Sequence, residues 1–310
     1  MRIVFMGTPA AAVPTLQRCL ADGHEIVAVW TQPDRPSGRG NKITASPVKE
    51  FALANNLVVH QPQKIKTEEA RALFASHAAD LGVVVAYGRI LPIEFLNAPR
   101  LGCINVHFSL LPKYRGAAPV NWAIVRGEAT TGVTTMFIAE QLDAGPILLQ
   151  RETAIGSSET ATELMSRLAP MGAELLGETL AGLDQIKPMP QNEGEATFAP
   201  VLKREDGLID WTSDAQAIER AVRGFQPWPN AHTLYRGERL IVWEADVGLD
   251  ASDHMGVPGE VLEAHKDKLV IGCGAGSQLF LSEVQLQGKR RMSARDFING
   301  SNIAVTDRLG

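Results

Sequence analysis

The opening thirty residues restrict the fold more than any other part of the chain. Arg2 to Met6 is a short apolar run, Gly7-Thr8-Pro9 a tight turn, and Ala10 to Leu20 a helical stretch closed by Gly23. Glu25 to Trp30 then resumes a continuous apolar run. Strands apolar on both sides belong inside a parallel sheet covered by helices on both faces, and a βαβ crossover builds one. The valine-rich run Asp80 to Ala86 and the run Leu101 to His107 read as further strands of the same kind. Dinucleotide-binding sheets begin in this way too. Here the Gly-x-Gly-x-x-Gly turn is absent and the second strand ends in Thr31-Gln32 rather than in an acid, which argues against a nicotinamide cofactor.

In open sheets of this type, ligands bind beyond the carboxyl ends of the strands. Two of those ends carry chemistry. Tyr87-Gly88-Arg89-Ile90-Leu91-Pro92 either presents backbone groups and an apolar wall to a flat heterocycle or is a packed strand-to-helix connection. At the other end stand Asn105 and His107. Residues two apart in a strand point to one face, so an amide and an imidazole converge there. The amide can donate to an oxyanion and the imidazole can move protons near neutral pH, a pairing suited to acyl transfer. Taken alone, Asn-x-His is as readily a capped turn beside a satisfied histidine.

Composition excludes several classes. A length of 310 residues allows one large or two ordinary domains, and 45% hydrophobic with 21% charged residues is an ordinary globular balance. Cys19, Cys103 and Cys273 are scattered without a Cys-x-x-Cys pair, so neither a zinc site nor a disulfide framework is expected, and a reducing cytoplasm suits the chain. No run approaches the ~20 apolar residues that span a bilayer. The apolar N-terminus is broken by Gly7-Thr8-Pro9 and continues into the strand–helix pattern, so it is not read as a secretory signal. A net charge of −5 argues against nonspecific nucleic-acid binding but leaves room for local basic sites.

Thr31 to Pro47 is expected to be a long loop bearing Arg35, Arg39 and Lys42, either a solvated surface segment or a mobile basic arm for a phosphate backbone. Ser158 to Leu183 reads as one long helical pattern, capped by Ser157 or Ser158, with Pro170 as a kink or break. The Pro- and Gly-rich segment from Lys187 to Gly194 marks a linker. The expected division is therefore a catalytic domain at 1–192, a linker at 193–207 and a C-terminal domain at 208–310. In the last, short runs at Ala231–Tyr235, Arg239–Asp246, Gly259–Glu263, Lys268–Cys273 and Leu279–Val284 suggest a small β-barrel of the oligonucleotide-binding (OB-like) type. Lys289-Arg290-Arg291 is a compact basic cluster, either a solvated turn or a contact for RNA. From Asp206 onward 15 acidic residues outnumber 11 basic ones, so RNA held there would meet a one-sided patch.

The stretch Asn-Val-His-Phe-Ser-Leu-Leu-Pro-Lys-Tyr-Arg-Gly, from Asn105 to Gly116, resembles the signature of the folate-dependent formyltransferases. The resemblance covers essentially the whole chain and implies a Rossmann-like N-terminal formyltransferase domain followed by the OB-like barrel. It implies 10-formyltetrahydrofolate as co-substrate, no metal, and Asn105 and His107 as catalytic residues. Asp143, in the turn Leu142-Asp143-Ala144-Gly145, would otherwise be an ordinary turn aspartate; the resemblance makes it the catalytic aspartate that orients His107. It further implies that Ser109, Leu110, Leu111 and Pro112, together with Arg89, Ile90 and Leu91, bind the folate.

The Thr-Gln-Pro-Asp-Arg-Pro insertion with Gly38-Arg39-Gly40, and Pro227-Trp228-Pro229 ahead of the barrel, resemble the branch of the family that acts on initiator methionyl-tRNA. That branch implies contact of the insertion with the tRNA acceptor end, with Arg39 the leading candidate; Lys42, Lys289, Arg290 and Arg291 are further candidate tRNA contacts on their charge, and a monomeric cytoplasmic enzyme is expected. Other readings remain open: an amino-sugar-nucleotide formyltransferase, a formyltetrahydrofolate hydrolase, or a noncatalytic RNA-binding protein on the same fold. Two departures from the family pattern bear on the site. Phe108 stands where a small residue is expected and either narrows the folate side or packs outward, and Gln141, Ala144 and Pro146 are unusual around Asp143.

Overall fold

The computed structural model describes residues 1–37, 42–248 and 256–310. In chain order the elements begin with β1 (Arg2–Gly7), α1 (Val13–Ala21), β2 (Glu25–Trp30), β3 (Arg35–Ser37), β4 (Lys42–Thr44) and α2 (Pro47–Ala54). They continue through β5 (Val59–His60), α3 (Glu68–Ser76), β6 (Leu81–Val85), α4 (Ile93–Asn97), β7 (Cys103–His107) and β8 (Arg115–Gly116). Then come α5 (Pro119–Val125), β9 (Thr130–Phe137), β10 (Ile147–Ala154), α6 (Ala161–Ala181) and β11 (Phe198–Ala199). The last are α7 (Ala215–Gly224), β12 (His232–Tyr235), β13 (Glu238–Val247), β14 (Val261–His265), β15 (Lys268–Gly272), β16 (Gln278–Leu286), β17 (Met292–Ser293) and α8 (Ala294–Ser301).

The chain forms two compact units. The first holds Met1–Pro119, Thr130–Ala154 and Met165–Pro200, and the second Val120–Ala129, Ile155–Leu164 and Val201–Gly310. A seven-stranded sheet in the order β10-β9-β7-β6-β1-β2-β5 organises the first. Only β7, β6, β1, β2 and β5 run parallel; β9 is antiparallel to β7, and β10 to β9. The expected parallel sheet is thus a mixed one. The link from β9 at Phe137 to β10 at Ile147 is shorter than the crossover of a dozen or more residues that a parallel pair needs, so the two run antiparallel.

The parallel part is buried on both faces, as its continuous apolar runs require. Val4 and Met6 join Trp30, Phe74, Val84 and Phe95 in one core cluster, while Ile3 and Phe5 are fully buried on the opposite face. Pro170 does not break α6, which runs without interruption. Its start is a reciprocal box: Glu163 N donates to Thr160 Oγ1, and Thr160 N to Glu163 Oε2 at 2.9 Å. Thr160 rather than Ser157 or Ser158 is therefore the cap. Nor is 31–47 wholly irregular. β3 and β4 pair with Arg35 opposite Thr44, and Asp34 anchors the base by accepting from Lys49 Nζ at 2.6 Å and Gln61 Nε2 at 2.7 Å. These bonds hold the Asp34 carboxyl below its usual range, with the Gln61 hydrogen bond the largest cause.

At the edge of this sheet the His60 and His77 rings lie against each other, tilted by 35° with centroids 5.0 Å apart, and Trp30 Nε1 donates to His77 Nε2 at 3.1 Å. Burial lowers both imidazoles below their ordinary range, and His60 lowers His77 further. A base held neutral in the fold but free to protonate when unfolded costs stability as pH falls. The first unit is therefore expected to lose thermal stability from pH 6.5 downward, and His60→Phe to flatten that loss; melting curves at pH 7.5 and pH 5 check it.

The second unit is built on an antiparallel sheet in the order β12-β13-β16-β15-β14, with β17 added to β16. Among the described residues its two end strands are not paired with each other. α7 packs Ala215, Ile218 and Val222 into a core with Trp211, Leu240, Val242, Leu279 and Phe297. α8, which the strand pattern did not anticipate, is capped by Ser293 and contributes Phe297.

Candidate active site

β7 is the strand at which the sheet changes sense. Asn105 lies opposite Val84 of parallel β6 and Met136 of antiparallel β9, and His107 lies opposite Thr134. Their shared face follows from strand alternation. Asn105 is half-buried, and its carboxamide has no protein hydrogen-bond partner among the described residues. It is a donor held by its strand and left free for a ligand.

His107 is 5% exposed. Its Nε2 lies 2.9 Å from Tyr114 O. A carbonyl only accepts, so Nε2 carries the hydrogen. Nδ1 stands 3.7 Å from Asp143 Oδ2. That is too long for a hydrogen bond but within ion-pair reach, so a proton on Nδ1 would face the carboxylate directly. Asp143 occupies the left-handed region at φ +50°, and its Oδ2 accepts the Gly116 N–H at 2.8 Å.

The loop from Ser109 to Gly116 is held from below. Thr134 Oγ1 donates to Ser109 O at 2.7 Å and accepts from Leu111 N at 3.2 Å, while Gln150 Nε2 donates to Leu111 O at 2.8 Å. Ser109 is fully buried and donates its hydroxyl to Lys113 O at 2.7 Å. Leu111 packs with Met136 and Ile147, and Leu110 covers Gly132, where a Cβ would stand 2.5 Å from its Cδ2. Pro112 is half-buried. Phe108 packs away from His107, its ring 3.4 Å from where a Cβ on Gly172 of α6 would sit, so it does not narrow the face shared by Asn105 and His107.

The strands ending beside this loop converge as well. Gln32 Nε2 donates to Tyr87 O at 3.0 Å, Thr8 Oγ1 donates to the same carbonyl at 3.1 Å, and Arg89 Nε donates to Gln32 Oε1 at 3.1 Å. Arg89 also reaches Gln63 O at 2.9 Å, so part of its guanidinium braces the loops. Leu91 is buried in the core, while Ile90 is 69% exposed.

Arg39 lies outside the described residues, and Lys42 is placed on β4 by its backbone alone. Lys289 and Arg290 border a cleft of about 320 Å³ floored by Met292 and Phe297. Arg291 is paired with Glu283 and lies over the Trp243 ring, 5.2 Å from its centroid, so the three cations are not equivalent.

Sequence reading placed Tyr114, Arg115 and Gly116 in the signature stretch but gave them no binding or catalytic role, and it read Gln191 only as linker. They act largely through backbone groups or through partners far along the chain, and no local pattern reports either. Burial pushes the Cys19, Cys103 and Cys273 thiols up to about 12, so no cysteine offers a ready thiolate. Among the described residues no group of three or more His, Cys, Asp or Glu side chains could hold a metal ion, and no helix is long and apolar enough to cross a membrane.

Residues 1–180 match the formyl transferase family, and residues 201–302 match the formyl transferase C-terminal domain. The chain is 51% identical over 313 residues to the methionyl-tRNA formyltransferase of Koribacter versatilis, covering 100% of this chain and 99% of the relative. It is 50% identical to that of Acidobacterium capsulatum, with 100% of both chains covered. Among solved structures it resembles WlaRD, a sugar 3N-formyl transferase, at TM-score 0.67 and 19% identity, over 94% of this chain and 99% of that one. It resembles HypX from Aquifex aeolicus at TM-score 0.66 and 18% identity, over 99% of this chain and 48% of that one. At such identities the two structures speak for the fold alone. Family matches over both halves and relatives of about half identity along the full length agree: this chain belongs to the formyl transferase family.

Proposed function

We propose that the protein transfers the formyl group of 10-formyltetrahydrofolate to the free amino group of initiator methionyl-tRNA, giving N-formylmethionyl-tRNA for translation initiation. The observation that carries this reading is full-length identity of about half to methionyl-tRNA formyltransferases, spanning both the catalytic sheet and the C-terminal unit.

The chemistry follows from the face shared by Asn105 and His107. The neutral α-amine attacks the formyl carbon, whose oxygen becomes an oxyanion. The unpartnered Asn105 amide donates to it. His107 and Asp143, with 3.7 Å between Nδ1 and Oδ2, take up the proton that the amine loses and return it to folate N10 as the C–N10 bond breaks. One N–H is lost, one is gained, and no metal or redox partner is needed. Because the amine must be neutral to attack, the rate rises with pH through its titration.

Ile90, exposed beside Leu91 and Arg89, suits the apolar wall of the folate site, with Ser109, Leu110, Leu111 and Pro112 shaping the facing loop. The second unit acts as an OB-like RNA-binding module, with Lys289, Arg290 and Arg291, and Arg39 and Lys42 of the N-terminal domain, meeting phosphates. The enzyme works as a monomer in the cytoplasm.

The test is formyl transfer to initiator methionyl-tRNA, with elongator methionyl-tRNA, an amino-sugar nucleotide and water as competing acceptors. Rapid initiator-selective formylation is expected; folate turnover without formyl-tRNA would move the acceptor to a sugar or water. Lys289→Ala and Arg290→Ala are each expected to reduce the salt slope of tRNA binding by about 1. Arg291→Ala should change it less, because Glu283 already neutralises that cation. Slopes unchanged from the parent in all three variants would remove the cluster from the interface.

A further inference from the structure

Arg115 is 1% exposed, although it lies in the two-residue strand β8 outside the main sheet. Its Nε and Nη2 donate to Gln191 Oε1 at 3.0 and 2.8 Å, and its Nη1 and Nη2 to the two carboxylate oxygens of Glu193 at 2.9 and 2.8 Å. With its oxygen so occupied, Gln191 turns its amide nitrogen to the turn that carries Asp143. Nε2 donates to Asp143 O and to Gly145 O, both at 2.8 Å. All four hydrogen-bonding positions of one side chain are used, on two segments that lie 46 to 76 residues before it in sequence. The segment that follows Gln191 grips the other side of the site. Thr197 Oγ1 accepts from Tyr114 N at 2.9 Å, and Tyr114 O is the acceptor for His107 Nε2. β11 pairs in parallel with β8, placing Gly116 N to donate to Asp143.

We propose that Gln191 is a positioning residue for formyl transfer: it clamps the backbone of the Asp143 turn and so sets the 3.7 Å approach of the carboxylate to His107. The proposal rests on the reading of Asp143 as a member of the reacting pair. Asp143 sits in the left-handed region, where a non-glycine residue stays only if its surroundings hold it. Gly116 N holds the carboxylate and Gln191 holds the carbonyl, so together they fix both ends of the residue. Arg115 and Glu193 in turn keep the Gln191 amide from rotating, which assigns its oxygen to the guanidinium and its nitrogen to the carbonyls.

The test compares kcat and both KM values for Gln191→Ala, Gln191→Met, Asp143→Ala and the Gln191→Ala/Asp143→Ala pair. The methionine fills the same space without donors, which separates lost hydrogen bonds from lost packing; melting curves confirm that each variant is folded. Gln191→Ala and Gln191→Met are expected to lower kcat about 10–100-fold, as small misplacements of reacting groups do, with each KM held within about threefold. In the Asp143→Ala background, removing Gln191 is expected to cost less than about threefold, because the group it positions is already gone. Wild-type kcat in Gln191→Met, beside a slow Asp143→Ala, would overturn the proposal and leave the active-site reading standing. A full further loss in the double variant would also overturn it, by placing the action of Gln191 elsewhere. Wild-type turnover in Asp143→Ala would overturn both.

Discussion

Asn105→Ala is expected to lower kcat about 10²–10³-fold while leaving both KM values nearly unchanged, the range seen when one oxyanion donor is removed. The reason is specific to this strand. Asn105 carries no internal hydrogen bond among the described residues, so its removal breaks nothing in the free protein. Its backbone pairings to β6 and β9 do not depend on the side chain. Melting temperature should therefore stay close to that of the parent, and the loss should appear in turnover alone. His107→Ala differs, because the buried imidazole donates to Tyr114 O and its loss removes that bond and leaves a cavity. It should lower both kcat and stability. Single-turnover formylation together with calorimetry distinguishes the two patterns; wild-type turnover in Asn105→Ala would remove the amide from the mechanism.

Gly116→Ala is expected to be the most damaging change outside the reacting groups. Gly116 sits at φ +127°, where side chains are strained, and a Cβ there would stand 2.4 Å from Ala199 O. That neighbour is backbone in the β8–β11 pair and cannot swing aside. Strain and overpacking together suggest a stability loss of about 2–4 kcal/mol. The Gly116 N–H that holds Asp143 Oδ2 would move as well. A displacement near ~1 Å at a reacting group commonly costs about 10²-fold in rate. Calorimetry and kcat measured on the same preparation check both figures. Ala117→Gly, one residue on and exposed, should leave each within experimental scatter.

These two residues mark the boundary between local pattern and tertiary arrangement. Asn105 and His107 could be placed on one face because alternation in a strand is a local rule. The signature around them could be read because the residues that carry it are consecutive. The same holds for the βαβ opening, whose continuous apolar runs call for a sheet covered on both sides, and for the antiparallel strands after Leu208. Pairing across the chain was not local. The sheet changes sense at β7 because β9 returns against it, and no property of either segment alone specifies that partner. β3 and β4 were read as loop because each is three residues long, too short for a period to show. Pro170 was read as a kink or break on propensity; α6 runs through it, so it is no break.

Within the site the division is sharper. By itself the sequence determined which groups can do acyl chemistry and that two of them share a strand face. Only the tertiary structure decided that His107 is held by a backbone carbonyl, that Asp143 is held by a backbone N–H, and that Gln191 joins the two loops. Those contacts use main-chain atoms that every residue possesses, or partners dozens of positions away. Nothing in residue identity announces them; they come into being when the sheet and its loops close.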